Sequence, residues 1–482
     1  MLDREEILAI YAQGPEAVVA LVQALSTQYA AEHATLRARV QALEDRLAID
    51  SHNSAQPPSR DQPSKPAPKS LRQPSGRTPG GQPGHPGTTL AWSQTPEVVV
   101  THRPTTCPRC QASLDGAVVV AQERRQVQEL PPLRLVTTEH VVEICRCAVC
   151  GQLSQGAFPA AAVAPVSYGP RLRSLAVYLN QYQLLPYARA TELLAELFGC
   201  TLAPGTLTRL VAESHTALAA TEAAIQQALG QAAVLHVDET GLRVAGGRQW
   251  LHVASTERLT HYALQPGRRA ELVAACGVLG DFRGVAVHDG HAAYFTFPCD
   301  HALCNVHHLR ELTFVAERQQ QAWAGELKAL FLEMNAAVAA ARAAGERHLG
   351  WVRLALFVGR YRRVVQQGLD ANPPQEKPPD RPGPPKRSKA GKLALRLARD
   401  ADAVLRFLVD FTVPFDNNQA ERDLRMVKVQ QKIAGCFRTA SGAEQFSRIR
   451  GYLSTARKQG HSPLVALEAV FAGQPLVLTG PE

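Results

Sequence analysis

The sequence has no apolar run long enough to cross a membrane, and its first residues lack the positive charge of a signal peptide. The opening segment, MLDREEILAIYAQG, carries acidic side chains where a signal peptide carries basic ones. A membrane helix needs about 20 apolar residues in succession. These absences predict a cytoplasmic protein that has no membrane partner.

Cysteine is too sparse for a disulfide scaffold, with 10 residues in a chain of 482. Four of the cysteines form two Cys-x-x-Cys pairs, Cys107–Cys110 and Cys147–Cys150. Each pair can place two thiolates on one ion, so the two pairs predict a structural Zn²⁺ site within a strand-rich, zinc-ribbon-like domain. Cys145 is an alternative ligand that could replace Cys147. Isolated thiols or a redox pair are the other interpretation.

The first 100 residues predict a long helix followed by a linker. Residues 16–50 are rich in helix-forming residues, and apolar positions recur in four- and three-residue steps from Tyr29 to Leu47. This seam predicts a short homotypic coiled coil, with a helix docked on its own protein as the alternative. Residues 51–95 are rich in Pro, Ser and Gly, so we expect a disordered, basic linker there.

Residues 165–230 read as helices separated by turn signals. Ala203-Pro204-Gly205-Thr206 resembles the entry to the second helix of a helix-turn-helix, a motif that binds DNA. Plain helix packing is the alternative. Helical sequence returns at 319–408, interrupted by a Pro- and Lys-rich stretch at 372–392 that predicts a surface loop.

Three acidic residues stand in settings that suggest a shared cation. Asp238 and Asp289 each follow a short apolar run of strand type, whereas Glu421 lies in a helical segment. A carboxylate at the end of a buried strand is costly unless a positive charge meets it. Three carboxylates that converge would suit Mg²⁺ or Mn²⁺, and a pair of such ions is a common apparatus of phosphoryl transfer. Ordinary turn and helix-cap chemistry is the alternative at each position.

The strand order around these acids predicts a ribonuclease-H-like core. Three strands in a meander, a helix and a fourth strand follow one another over residues 232–300, and acids occur on the first and fourth strands. Side chains of neighbouring strand residues point to opposite faces, so only one of Asp238 and Glu239 can face the ions. We assign that position to Asp238.

Basic residues concentrate after Glu421, with nine lysines and arginines against two acids between Arg422 and Lys458. This excess predicts a polyanionic partner, with a solvated helix face as the alternative. Asn417, Glu421 and Arg425 recur every four residues, which would place a metal ligand among phosphate-binding groups on one helix stripe. The phosphate contacts that we predict are Arg425, Lys428, Lys432 and Arg438.

Cysteine and histidine also cluster in CDHALCNVHHLREL, at residues 299–312. Their spacing offers no clear tetrahedral set, so we interpret this segment as a helix packed beside the active site, with a histidine near the phosphate.

Several motifs in order resemble the insertion-sequence sixty-six family of bacterial DDE transposases. The segments that carry the resemblance are HVDET, HDGHAAY, LCNVHHLREL, DNNQAERDLR and KIAGCFRTASGAEQF, together with GGQPGHPG and the cysteine pairs upstream. The resemblance implies a ribonuclease-H-like core interrupted by a helical insertion, a zinc-binding N-terminal domain and a leucine-zipper-like start. Asp238, Asp289 and Glu421 match the DDE positions.

The resemblance implies an enzyme that cleaves DNA at insertion-sequence ends and transfers the strand into target DNA, with two-metal-ion chemistry. The coiled-coil seam predicts a homo-oligomer, and we expect a cytoplasmic protein that acts at the nucleoid. Accessory proteins of the same element are further expected partners. The alternatives are a nuclease or resolvase, and a non-catalytic zinc-dependent DNA-binding regulator. The predicted multidomain α+β organisation is a coiled-coil segment (1–50), a linker (51–95), a zinc-binding domain (96–160), a helical region (165–230), the first part of the core (231–318), a helical insertion (319–408), and the last part of the core with a basic C-terminal region (409–482).

Overall fold

The computed structural model describes residues 4–50, 53, 84, 90–131, 133–159, 162, 164–374 and 384–478. The predicted linker at 51–95 and the centre of the Pro-rich stretch at 372–392 lie mostly outside the described residues. Within the described residues, no helix is long and apolar enough to cross a membrane. The architecture is mixed α+β, with a long N-terminal helix and one five-stranded sheet, which confirms the predicted class at that level.

The N-terminal segment forms a short helix and a long one, α1 (Arg4–Tyr11) and α2 (Pro15–Leu47). Gly14 separates them with a φ of 102°, a conformation that favours glycine, and Pro15 starts α2 with its fixed φ. The side chains of Tyr29, Leu36 and Leu43 on the predicted seam are 70%, 60% and 51% exposed. The described part of the chain therefore leaves this seam open to solvent.

The cysteine-rich segment contains little regular structure. Two strands of three residues pair antiparallel around the second cysteine pair, β1 (Ile144–Arg146) and β2 (Leu153–Gln155). The alternating sequence over residues 118–131 and 133–146 predicts strands, and among the described residues of these segments Ile144–Arg146 forms one. The expectation is wrong for the other described residues. The side chains of Val118, Val120 and Val127 there are exposed, so no apolar layer covers the alternation in the described structure.

Four helices lie between the cysteine-rich segment and the five-stranded sheet, where the sequence predicts a helical region. They are α3 (Pro170–Val177), α4 (Tyr187–Phe198), α5 (Pro204–Ala217) and α6 (Ala219–Gly230), with a π-helical turn at Tyr178–Tyr182. Their apolar faces share one core with Leu235 and Val237 of the sheet and with the C-terminal helices. These helices therefore pack against the sheet as part of the same hydrophobic core.

The sheet has the strand order β5-β4-β3-β6-β7, with antiparallel β3–β4–β5 and parallel β3–β6–β7. This mixed order, with its flanking helices, is consistent with a ribonuclease-H-like core. Ala245 and Gly246 form the β3–β4 turn with positive φ values of 49° and 79°, typical of a type I′ hairpin. The elements are β3 (Val234–Val244), β4 (Gly247–Ser255), β5 (Thr260–Gln265), α7 (Ala270–Ala274), β6 (Val285–His288) and β7 (Asp300–Leu303).

Gly284 allows β6 to lie directly beside β3. A Cβ atom at this position would come within 2.6 Å of the carbonyl oxygens of Ala232 and Ala233. Glycine is therefore required by close backbone approach just before the strand that leads to Asp289.

A block of helices with its own core separates β7 from the last part of the sheet domain. The helices of this block are α8 (Asn305–Arg318), α9 (Ala322–Ala343), α10 (Trp351–Asp370), α11 (Lys389–Arg399) and α12 (Ala401–Val409). Buried aromatic residues such as Phe331 and Tyr361 lie in this core, and the Tyr361 hydroxyl donates to the Leu397 carbonyl at 2.8 Å. Three helices follow, α13 (Asn418–Ala434), α14 (Ala440–Lys458) and α15 (Pro463–Phe471).

Candidate active site

Asp238 lies on the sheet face that α13 covers. Leu242 and Val244, which alternate with it along β3, pack with Leu424 and Val427 of α13. Leu235 and Val237, at the odd-numbered positions of β3, point to the other face and belong to the core there. Asp238 is half-buried, and its Oδ1 accepts the backbone N–H of Glu239 at 2.8 Å.

Asp289 lies immediately beyond β6, beside Asp238. In the parallel pairing of β3 with β6, His236 is the partner of Val287. Two residues further along each strand are Asp238 and Asp289, so the register places the two carboxylates at one level of the sheet. Asp289 is exposed, and its Oδ1 accepts the His291 N–H at 2.9 Å.

Asn417 holds the start of α13, and with it Glu421, against the sheet. Its side-chain amide donates to the Val237 carbonyl at 2.9 Å, and its Oδ1 lies 2.8 Å from His236 Nδ1. Its backbone N–H donates to Cys304 Sγ at 3.2 Å. Asn417 is only 1% exposed, so it is a buried residue that ties α13 to the sheet. Its spacing predicts a place among phosphate-binding groups on the helix surface, and its burial contradicts that prediction.

The three carboxylates share one electrostatic field. The pKa of Asp238 is raised well above its ordinary value, first by burial, then by the negative charge of Asp289, with further contributions from Glu239 and Glu421. Among the described residues, Asp238 and Asp289 form no ion pair with a basic side chain. Among the described residues, the donor oxygens of the three carboxylates do not all lie within 4.8 Å of one another. Oxygen donors of this kind, without a basic partner for Asp238 or Asp289, fit a hard divalent cation.

Glu239 belongs to the opposite side of the sheet and is occupied there. Its side chain is 4% exposed, accepts the Tyr294 hydroxyl at 2.6 Å and pairs with Arg268 at 3.3 Å. The Arg268 guanidinium in turn lies 4.5 Å from the centre of the Trp250 ring. Because side chains alternate between the two faces along β3, Asp238 points to the face that carries Glu421. Glu239 points to the opposite face, where Tyr294 and Arg268 bind it.

Two residues of the cysteine- and histidine-rich segment reach Glu421. The sequence predicts a histidine of this segment near the phosphate, but it does not single out His307 or bring Cys304 into the group. Cys304 Sγ, a His307 ring nitrogen and a Glu421 oxygen lie within 4.8 Å of one another. Cys304 caps α8, and burial raises the pKa of its thiol to about 12. The segment before it is strand β7, not helix, because its residues pair in parallel with β6. The Cys-x-x-His spacing, which brings both side chains to one helix end, was the available signal.

The other members of that segment have partners elsewhere. His301 lies 3.2 Å from His288, and His308 lies 3.0 Å from the Asn305 side chain. Burial lowers the pKa of His308 to about 3, so this imidazole is neutral at physiological pH.

The predicted phosphate contacts lie together along one surface. Arg425, Lys428 and Lys432 follow Glu421 at helical spacing and are exposed. The Lys428 ammonium also donates to the Gly241 carbonyl of β3 at 2.7 Å. Arg438 is exposed beyond α13, next to Phe437, which bridges to Val244.

The remaining part of the basic cluster, on α14, is engaged inside the protein. Arg448 pairs with Glu222 at 2.6 Å, and Arg450 donates to the Tyr182 carbonyl at 3.1 Å. Lys458 donates to Asp423 at 2.8 Å. The excess charge that predicted a polyanionic partner is therefore partly structural, since Arg448, Arg450 and Lys458 of α14 are bound within the protein.

Each Cys-x-x-Cys pair forms the same turn. The Cys107 N–H donates to Ala112 at 2.9 Å, and the Cys147 N–H donates to Gln152 at 2.8 Å. Backbone N–H groups of the following residues, including Cys110 and Cys150, lower the pKa of the Cys107 and Cys147 thiols. Such turns suit thiolate ligation, but among the described residues the four thiols do not gather into one group. Cys145 lies in β1, paired with Ser154.

Comparison with known proteins agrees with the motif resemblance. The chain matches the profile of the Transposase IS66 family over residues 165–445. Residues 11–91 match a family of unknown function, DUF6444. No curated protein matches the chain. The first match spans more than half of the 482 residues and contains all three carboxylates, so the chain belongs to the IS66 family of transposases.

Proposed function

We propose that this transposase cleaves DNA at insertion-sequence ends and transfers the strand into target DNA, using Asp238, Asp289 and Glu421 as its catalytic carboxylates. The proposal is supported by the register that puts Asp238 and Asp289 on neighbouring strands and by the negative charges of Asp289 and Glu421, which act on Asp238. A chance grouping of acids would be destabilising without a role for the concentrated charge.

The three carboxylates would hold Mg²⁺ or Mn²⁺. Bound there, such ions would activate a water molecule and stabilise the leaving oxygen of a phosphodiester. Cleavage frees a 3′-hydroxyl at the element end, and that hydroxyl attacks a phosphodiester of the target. The protein contributes fixed geometry, since Asn417 ties α13 to β3 and so sets the position of Glu421 relative to Asp238.

Basic residues next to the carboxylates would position the DNA backbone. Arg425, Lys428, Lys432 and Arg438 extend from Glu421 along one exposed surface. Contacts of this kind fix register and orientation but do not read base sequence. Recognition of element ends would fall to other parts of the chain, the cysteine-rich segment and the helices around α5.

The two cysteine turns would hold a structural Zn²⁺ through Cys107, Cys110, Cys147 and Cys150. Backbone N–H groups that favour thiolates at Cys107 and Cys147 support this assignment. Because the described structure does not gather the four thiols, bringing the turns together would accompany zinc binding. We further propose a homo-oligomer at the nucleoid, with any accessory proteins of the element as additional partners.

The test is metal-dependent cleavage and joining of labelled DNA that carries the ends flanking the gene. We expect Asp289→Asn to abolish both activities while it leaves DNA binding within about twofold, because the substitution removes charge and keeps size. Asp281→Asn, at an exposed acid just before β6, is the matched control and should retain both activities.

The outcomes separate the alternative functions. Cleavage without joining would indicate a nuclease or resolvase. DNA binding without cleavage in the wild-type protein, with Mg²⁺ or Mn²⁺ present, would instead favour a non-catalytic regulator. Full activity of Asp289→Asn would contradict the assignment of the carboxylates.

A further inference from the structure

The N-terminus of α8 brings a thiol and an imidazole to Glu421. Cys304 is 1% exposed, and its sulfur accepts the Asn417 N–H at 3.2 Å. His307 follows one helical turn later, and its Nε2 lies 3.7 Å from Glu421 Oε1. The side chains of His307 and Glu421 are 20% and 27% exposed, so this group opens to solvent on one side.

Helix capping does not account for the cysteine. Cys304 is the N-cap residue of α8, but its side chain makes no capping hydrogen bond, and its sulfur accepts the Asn417 N–H instead. His307 makes no hydrogen bond with Glu421, since 3.7 Å is too long for one. Its other nitrogen, Nδ1, is buried and has no hydrogen-bond partner in the described structure.

The separations of the donor atoms match those around a small tetrahedral ion. Bonds of about 2.0–2.3 Å to such an ion place neighbouring donors ~3.3–3.8 Å apart. The His307–Glu421 separation of 3.7 Å falls in this range, and all three donor atoms lie within 4.8 Å of one another. A small closing movement would therefore complete three bonds and leave a fourth position open.

We propose that Cys304, His307 and Glu421 form a second cation site that takes Zn²⁺ in preference to Mg²⁺. Thiolate and imidazole are ligands that zinc accepts and magnesium avoids, whereas Asp238 and Asp289 offer only oxygen. Zinc binding displaces the Cys304 thiol proton to solvent, and the Asn417 N–H and the α8 N-terminus stabilise the resulting thiolate. Since Glu421 belongs to both sites, zinc and magnesium compete for it, and zinc inhibits DNA cleavage.

Cobalt is the direct probe of the site, because Co²⁺ replaces zinc and gives an absorption band when a thiolate binds it. The full-length, metal-free protein is titrated with Co²⁺, and we expect Cys304→Ser to lose one equivalent of thiolate-bound cobalt relative to wild type. The cysteine turns contribute equally to both proteins. Cys299→Ser, at a half-buried thiol of the same segment outside the cluster, should keep the wild-type stoichiometry.

A second variant guards against misfolding of the first. His307 is partly exposed, and His307→Gln should lower the affinity of this one cobalt equivalent by about tenfold or more. Wild-type cobalt stoichiometry and affinity in both Cys304→Ser and His307→Gln, with unchanged circular dichroism, would overturn the proposal.

The inhibitory part rests on the proposed function and has its own measurement. At fixed Mg²⁺, the zinc concentration that halves DNA cleavage should rise at least about tenfold in His307→Gln relative to wild type. An unchanged value would contradict competition at Glu421. If wild-type protein cleaves no DNA, the proposed function fails, and the cobalt titration still decides whether the site exists.

Discussion

At the scale of single residues, Asn417 connects three parts of the chain that meet at the active site. Its side chain joins β3 through Val237 and His236, and its backbone joins the start of α8 through Cys304. Its spacing predicts a stripe shared with Glu421 and Arg425, because helical periodicity gives the angular position of a side chain. Periodicity does not reveal burial, and the hydrogen-bond partners of the Asn417 side chain lie about 180 positions away in the sequence. No local sequence pattern could therefore predict this role.

Asn417→Ala should lower the free energy of unfolding by about 2–4 kcal/mol, because the Val237 carbonyl and His236 Nδ1 would remain buried without this partner. Asn418→Ala, at the half-buried next residue, should change it by less than about 0.5 kcal/mol. Denaturant unfolding measures both. Equal losses of unfolding free energy in the two variants would contradict the role of Asn417 in tying α13 to β3.

At the scale of elements, α13 and α14 use their basic residues differently. Sequence reasoning treated residues 422–458 as one basic field, because charge density can be read from composition. The partner that neutralises Arg448, Glu222, comes from a helix 226 residues earlier, and Lys458 pairs with a buried acid of α13, Asp423. By contrast, the strand end before Asp289 was predictable, since a short apolar run followed by an acid is a local signal. The same signal was wrong for Asp238, which lies within β3 because antiparallel pairing with β4 continues that strand to Val244.

Lys458→Ala and Lys432→Ala should therefore have opposite consequences. Loss of Lys458 leaves Asp423 buried without its ion pair, so the free energy of unfolding should fall by about 3 kcal/mol. Lys432 is exposed, and its loss should leave stability unchanged within about 0.5 kcal/mol.

DNA binding should show the reverse pattern. Lys432→Ala should reduce the slope of log affinity against log salt by about 1, whereas Lys458→Ala should leave this slope unchanged. Denaturant unfolding and binding titrations at several salt concentrations give the two quantities. A Lys432→Ala variant with the wild-type slope would remove this residue from the predicted phosphate contacts.

At the scale of the whole molecule, the apolar stripe of α2 is left open by the described part of the chain. Contacts with the helical block occur near its C-terminal end, where Gln319 donates to Asp45 at 3.4 Å and Ile49 packs against the block's core. The alternative of a helix docked along its own protein therefore lacks support in the described residues. The periodicity of the sequence predicts the apolar stripe of α2. It cannot predict which surface covers the stripe, because the covering surface belongs to another segment or another copy of the chain.

A second copy of α2 is the surface that we expect to cover this stripe. Burying a leucine is worth about 1.5–3 kcal/mol, and Leu36 and Leu43 are 60% and 51% exposed in the single chain. Leu36→Glu combined with Leu43→Glu would place repelling charges in the seam, so light scattering should show a shift from dimer to monomer. Ala34→Glu with Gln41→Glu adds the same two carboxylates on exposed positions outside the seam and should leave the dimer intact. A dimer mass unchanged by the leucine substitutions would mean that the oligomer forms through another surface, and a wild-type monomer would contradict the prediction.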